Sequence, residues 1–105
     1  MTKVMNDYLN DSKVKPILIE FWSPGCAICK TIEGDLNNLV NELAGKVEFV
    51  KIDSPENMPL LIEFDVYSSP TFFILKDGAI LQKFKGDSFG KVKEALRTMV
   101  LYGVL

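Results

Sequence analysis

The chain has 105 residues, 48% of them hydrophobic and 25% charged, which predicts one globular domain over 1–105 with a proper core and excludes disorder. Twelve basic residues against fourteen acidic ones give a net charge of −2 with no basic block, so a grip on nucleic acid or anionic membrane has no electrostatic source. No apolar run nears the ~20 residues of a membrane span, and Met1 to Asp7 lack the apolar stretch of a signal peptide, so a soluble, cytoplasmic protein is expected.

Residues 6–13 are polar around Tyr8 and Leu9 and predict a short first helix. Pro16 then introduces Ile17-Leu18-Ile19-Glu20-Phe21-Trp22, a β-branched and aromatic run with almost no alternation. That pattern predicts a strand buried on both faces. Ser23-Pro24-Gly25 signals a turn, and Cys26 and Cys29 follow at once. Beyond them Ile32, Leu36, Leu39, Val40 and Leu43 recur at helical spacing, with Gly45 suited to the cap and Gly34 expected to bend the helix. Cys26 is therefore placed at the mouth of a helix.

Residues 47–53 predict a second inner strand, and Ser54-Pro55 a helix start, with Ser54 as cap and Pro55 at the first helical position. Leu60, Leu61 and Phe64 carry that helix to about Asp65. Two apolar runs, 71–75 and 79–84, flank Lys76-Asp77-Gly78, a strong hairpin signal. Asp87 or Ser88 is positioned to cap a last helix with Val92, Leu96, Met99 and Val100 on one face. Strands interleaved with helices and closed by a hairpin predict an α/β fold, a central mixed sheet with helices on both faces.

The chain has no histidine. Ser-His-Asp and Cys-His catalysis and His-ligated metals are thereby excluded. Cys26-Ala27-Ile28-Cys29 sets two sulfurs three residues apart on a first helical turn. There, unbonded N–H groups and the helix dipole favour thiolate. The thiolate attacks a disulfide, and the neighbouring thiol resolves the mixed disulfide without diffusing in. Three other readings compete. A structural disulfide would close too short a loop to stabilise much. A metal site would need two more ligands from carboxylates or a second chain. Two inert core cysteines are the third. The strand–turn–Cys–helix context favours redox chemistry.

Phe21-Trp22-Ser23-Pro24-Gly25-Cys26-Ala27-Ile28-Cys29-Lys30 resembles the active-site segment of the thioredoxin family, and Ser69-Pro70-Thr71 resembles its cis-proline loop. Lys76-Asp77-Gly78 and Phe84-Lys85-Gly86 resemble its hairpin and the glycine beside its substrate groove. The likeness runs from about Ile17 to the end, with the family's first strand shortened to 2–5 or missing.

The resemblance implies a thioredoxin fold and a protein-disulfide reductase in which Cys26 is the nucleophile and Cys29 resolves. It implies no bound cofactor beyond the Cys26–Cys29 disulfide, disulfide-containing protein substrates, recycling by a thioredoxin-reductase-type enzyme, and a monomer. Glu20, a carboxylate inside an apolar strand, must either pair or raise its pKa. The family's carboxylate at this position relays the resolving proton, and its matching lysine, here Lys51, pairs with it. Pro70 is expected to be cis on the resemblance alone, the bare sequence predicting trans. A cis bond would leave the Ser69 backbone open to an extended substrate strand. Trp22 reads as packing under the loop more than as a substrate contact, and Gly86 as either a close-approach point or a plain strand-end turn.

Gly25 stands where the family has Trp, and Ala27-Ile28 replaces Gly-Pro. The first strips an aromatic wall from beside the nucleophile. In the second, Ile28 restores an N–H that Pro would lack, which implies a slightly more oxidising pair. Ser69 replaces a common Ile and makes that rim more polar. A glutaredoxin is disfavoured, since its Thr-Val-Pro and Gly-Gly are not here. An oxidase or isomerase, and a thioredoxin-like binding module without turnover, stand as alternatives.

Overall fold

A computed structural model describes residues 3–103. In chain order the elements are α1 (Met5–Asp11), β1 (Ile17–Trp22), α2 (Ala27–Glu42), β2 (Glu48–Asp53), α3 (Met58–Phe64), β3 (Thr71–Lys76), β4 (Ala79–Lys85) and α4 (Phe89–Tyr102). The four strands form one mixed sheet in the order β2-β1-β3-β4. β1 runs parallel to β2 and antiparallel to β3, and β3 pairs antiparallel with β4. Alternation along the strands sends successive side chains to opposite faces. Leu18, Phe72 and Ile74 pack with the buried faces of α2 and α4. Ile17, Ile19, Phe21, Phe73 and Leu75 pack with Tyr8 of α1 and with Leu60 and Phe64 of α3. The α/β class and the helices on both faces agree with the sequence.

β1 is central and all but Trp22 of it is buried, as its run with almost no alternation predicted. β2 is not an inner strand: among the described residues it is an edge, mostly half-buried. The strand placed over 2–5 does not cover it, because Lys3 and Val4 lie in no element and Met5 already opens α1. Thr2 lies outside the described residues.

α2 runs unbroken through Gly34 to Glu42, with Leu43 as its C-cap and Gly45 at φ +80 in the turn beyond. Ser54 is not a helix cap. Residues 54–57 make a turn closed by Asn57 N–H on the Ser54 carbonyl (3.1 Å). The helix starts at Met58 because Leu60 and Leu61 N–H reach the Asn57 carbonyl, and Pro59 takes the early helical position meant for Pro55. Ser88, not Asp87, occupies the N-cap of α4, but its side chain makes no capping bond. Asp77 (φ 55) and Gly78 (φ 84) form the two-residue turn of the hairpin, both left-handed, as a type I′ turn requires.

Candidate active site

β1 delivers the chain to the site. After Trp22 the segment 23–25 turns sharply, with Cys26 N–H donating to the Ser23 carbonyl at 3.1 Å. Cys26 is the N-cap residue of α2, and its Sγ accepts the Cys29 N–H at 3.1 Å. The two cysteines are joined by a disulfide, their Cα atoms 5.3 Å apart. Both are nearly buried, 8% and 9% exposed. A negative charge on Cys26 would thus meet a backbone N–H and the positive end of a sixteen-residue helix. The same geometry separates the two thiols chemically, since only Cys26 receives that bond.

Glu20 stands on β1, six residues before Cys26. It is 2% exposed, and its Oε1 has no hydrogen-bond partner. In the sheet it stands level with Lys51 on one side and Phe72 on the other. Burial pushes its carboxyl above the ordinary range; Lys51 opposes that rise and Glu33 adds to it. The expected Glu20–Lys51 ion pair does not form. Register brings the two residues side by side, but the exposed Lys51 extends its Nζ over the Trp22 ring, 5.4 Å from the centroid. A solvated ammonium on an edge strand gains more by lying on an indole than by entering the apolar layer.

Lys51 stands between two clefts of about 190 Å³ each. One is lined by Glu20 with Leu36, Val40 and Phe49. The other is lined by Trp22, Pro24, Cys29, Lys30 and Glu33. Glu33 was not singled out from the sequence, though the signal was there: it follows Cys29 by one helical turn and so shares its face.

Across a cleft from Ser23 lies the loop before β3. Ser69–Pro70 is cis, with Pro70 buried and Ser69 half-buried. Because Phe21 pairs with Thr71, this loop lies beside the end of β1. Ser69 and Ser23 border a cleft of about 540 Å³, floored by Met58, Leu61, Val66 and Tyr67. Gly86 N–H donates to the Pro70 carbonyl at 2.9 Å, and its φ of 62 fits glycine. Gly86 therefore serves as a strand-end turn and also leaves open space where a Cβ would stand. Gly25 is exposed and equally open, so nothing packs where a larger side chain would project.

Among the described residues no three His, Cys, Asp or Glu side chains cluster to hold a metal. No helix there is long and apolar enough to cross a membrane.

The thioredoxin family model matches residues 2–100. The thioredoxin of Bacillus subtilis is 39% identical over 84 residues, covering 80% of this chain and 78% of its own length. That of Haemophilus influenzae is 41% identical over 66 residues, covering 63% of this chain and 62% of its own. Among solved structures, thioredoxin from Trypanosoma brucei brucei superimposes with a TM-score of 0.83 at 26% identity, covering 95% of this chain and 88% of that one. Fasciola hepatica thioredoxin gives 0.78 at 26%, covering 91% and 97%. Strand–turn–helix delivery of a disulfide-linked Cys-x-x-Cys, a cis-proline loop beside it and these likenesses agree that the chain belongs to the thioredoxin family, the thiol–disulfide oxidoreductases.

Proposed function

We propose that the chain works in the reducing direction, as a single-domain, monomeric dithiol reductase of protein disulfides in the cytoplasm. Cys26 thiolate attacks a substrate disulfide, forming a Cys26–substrate bond and releasing one substrate thiolate. Cys29, deprotonated by Glu20 with the help of the Lys51 charge, then attacks the Cys26 sulfur. The second substrate thiol leaves and the Cys26–Cys29 disulfide closes. Two electrons pass from the dithiol to the substrate, and a flavin-dependent thioredoxin-reductase-type enzyme returns them. No cofactor beyond the dithiol is called for. An extended substrate segment pairs with the Ser69 backbone beside Pro70, bordered by Trp22, Gly25 and Gly86.

The observation that carries this reading is the inequality of the two sulfurs: Cys26 caps the helix and receives an N–H, whereas Cys29 lies inside the first turn. The test is trapping. Cys29→Ser should accumulate a stable mixed disulfide with insulin, and Cys26→Ser should form none; the reverse pattern would exchange the two roles. A redox titration of the wild type should give a reversible two-electron transition below about −230 mV, in the range of a cytosolic reductase. A clearly higher potential would assign oxidase or isomerase work instead.

A further inference from the structure

We propose that Glu33 is a positioning residue for the resolving step, an acidic side chain that shares the cleft of Cys29 and Lys51 and sets the pH at which Glu20 accepts the Cys29 proton. The inference rests on the reading of Glu20 as that acceptor.

The geometry is a small cluster of charge at the second sulfur. Glu33 follows Cys29 by one helical turn, and both border the cleft that also holds Lys51 and Trp22. The ion pairs among the described residues are Lys3–Asp11 and Glu42–Arg97, so neither Glu33 nor Lys51 is held in a salt bridge. Glu20 stands beside Lys51 in the sheet, with a buried, unpartnered oxygen. Lys51 from β2 lines both the cleft that holds Glu20 and the cleft that holds Glu33, whose other charged lining residue is Lys30 of α2; of these charges, Lys51 and Glu33 act on the Glu20 carboxyl. β3 presents Phe72, and the buried face of α4 is Phe89, Val92, Leu96 and Met99.

Two opposite charges therefore act on one buried carboxyl, and their signs work against each other. The negative Glu33 makes ionised Glu20 less favourable; the positive Lys51 makes it more so. In the resolving step the Cys29 S–H bond breaks, its proton goes to a Glu20 carboxylate oxygen, and the thiolate attacks the Cys26 sulfur. The step needs Glu20 ionised beforehand, so its rate rises with pH through the Glu20 titration. Glu33 thus delays the step to higher pH, and Lys51 advances it.

The experiment mixes reduced protein with an aromatic disulfide that releases a coloured thiolate. The first release marks attack by Cys26, the second resolution by Cys29, and both are followed across pH. Glu33→Gln should move the acid limb of the second phase down by about half a pH unit, the scale of one partly screened charge. Below the limb that is a rate gain of about threefold. Lys51→Met should move the limb up, the double variant should return it toward the wild type, and Glu33→Asp should leave it in place. An unmoved limb in Glu33→Gln, with a changed profile in Glu20→Gln, would overturn the role of Glu33 alone. A Glu33→Gln shift that persists in the Glu20→Gln background would also overturn it, since the charge would then act on sulfur directly. A Glu20→Gln profile identical to wild type would remove the reading beneath.

Discussion

β1 sends Ile17, Ile19 and Phe21 to one face of the sheet and Leu18, Glu20 and Trp22 to the other, and the two faces obey different rules. Toward α1 and α3 the layer is dry and aromatic. Phe21, Phe64 and Phe73 form a triangle with centroids 4.9 to 5.7 Å apart. Among the described residues no charged group is buried there. Toward α2 and α4 the layer is equally apolar over most of its area but takes in Glu20, with an oxygen that bonds to nothing. The first face is arranged for stability. The second gives up some of it by burying the carboxyl of Glu20, the group proposed above as the proton acceptor. One strand separates the two functions by a single residue of alternation.

The contrast can be broken hardest on the dry side. Phe73→Ala should cost about 3–5 kcal/mol by chemical denaturation, while the folded fraction keeps its disulfide-reducing rate at permissive temperature. A rate loss beyond the unfolded fraction would show that the faces are not independent.

On the side of α2 and α4 the sign reverses. Replacing Glu20 by Leu removes a buried carboxyl without an opposing hydrogen bond, so Glu20→Leu should raise stability at neutral pH by on the order of 1 kcal/mol or more while slowing resolution. The pH dependence follows from the raised carboxyl. Below its unfolded-state titration Glu20 is protonated in both states and costs nothing by ionisation. As pH rises through the unfolded value toward the raised folded one, the unfolded state ionises first and the native state loses ground. The stability gap between Glu20→Leu and wild type should therefore widen from acid to neutral pH. A gap constant with pH would show that packing, not ionisation, sets it.

The smallest effect belongs to the surface. Arg97 makes a two-pronged pair with Glu42, at 2.8 and 2.9 Å, linking α4 to α2. It is solvent-exposed, so Arg97→Ala should change the unfolding midpoint least of the three, and less still at high salt. A loss as large as that of Phe73→Ala would mean that helix docking depends on this pair.

Much of this was legible in the residues. The central strand announces itself by six residues with almost no alternation, the hairpin by Asp77-Gly78, and the redox-active cysteine pair by its place between a strand, a turn and a helix. These signals are local, and local chemistry decides them. What the sequence left open depended on distant parts. Whether β2 is inner or edge depends on what the N-terminal segment does, and residues 3 and 4 form no strand. Ser54 has the right identity for a cap, yet a competing turn closes there first, and Asn57 begins the helix. Glu20 and Lys51 were correctly placed side by side, but register does not decide where a long flexible side chain points. Here Trp22 offers the ammonium a better seat than the buried carboxyl does.

One contact of the first helix has a consequence for how the chain assembles. Ser12 is buried, gives its hydroxyl hydrogen to the Leu9 carbonyl at 2.6 Å, and accepts the Gly78 N–H at 2.9 Å; its own carbonyl accepts the Asp77 N–H at 3.0 Å. The tip of the hairpin is therefore closed by a residue sixty-six positions upstream. The hairpin itself is a local contact and loses little chain entropy in forming, whereas joining its tip to the first helix requires nearly the whole intervening chain to be in place. In amide exchange, turn tips are ordinarily the fastest sites. The Gly78 amide should instead exchange only when this long loop opens, so one slow proton at the end of a hairpin times the undocking of the first helix.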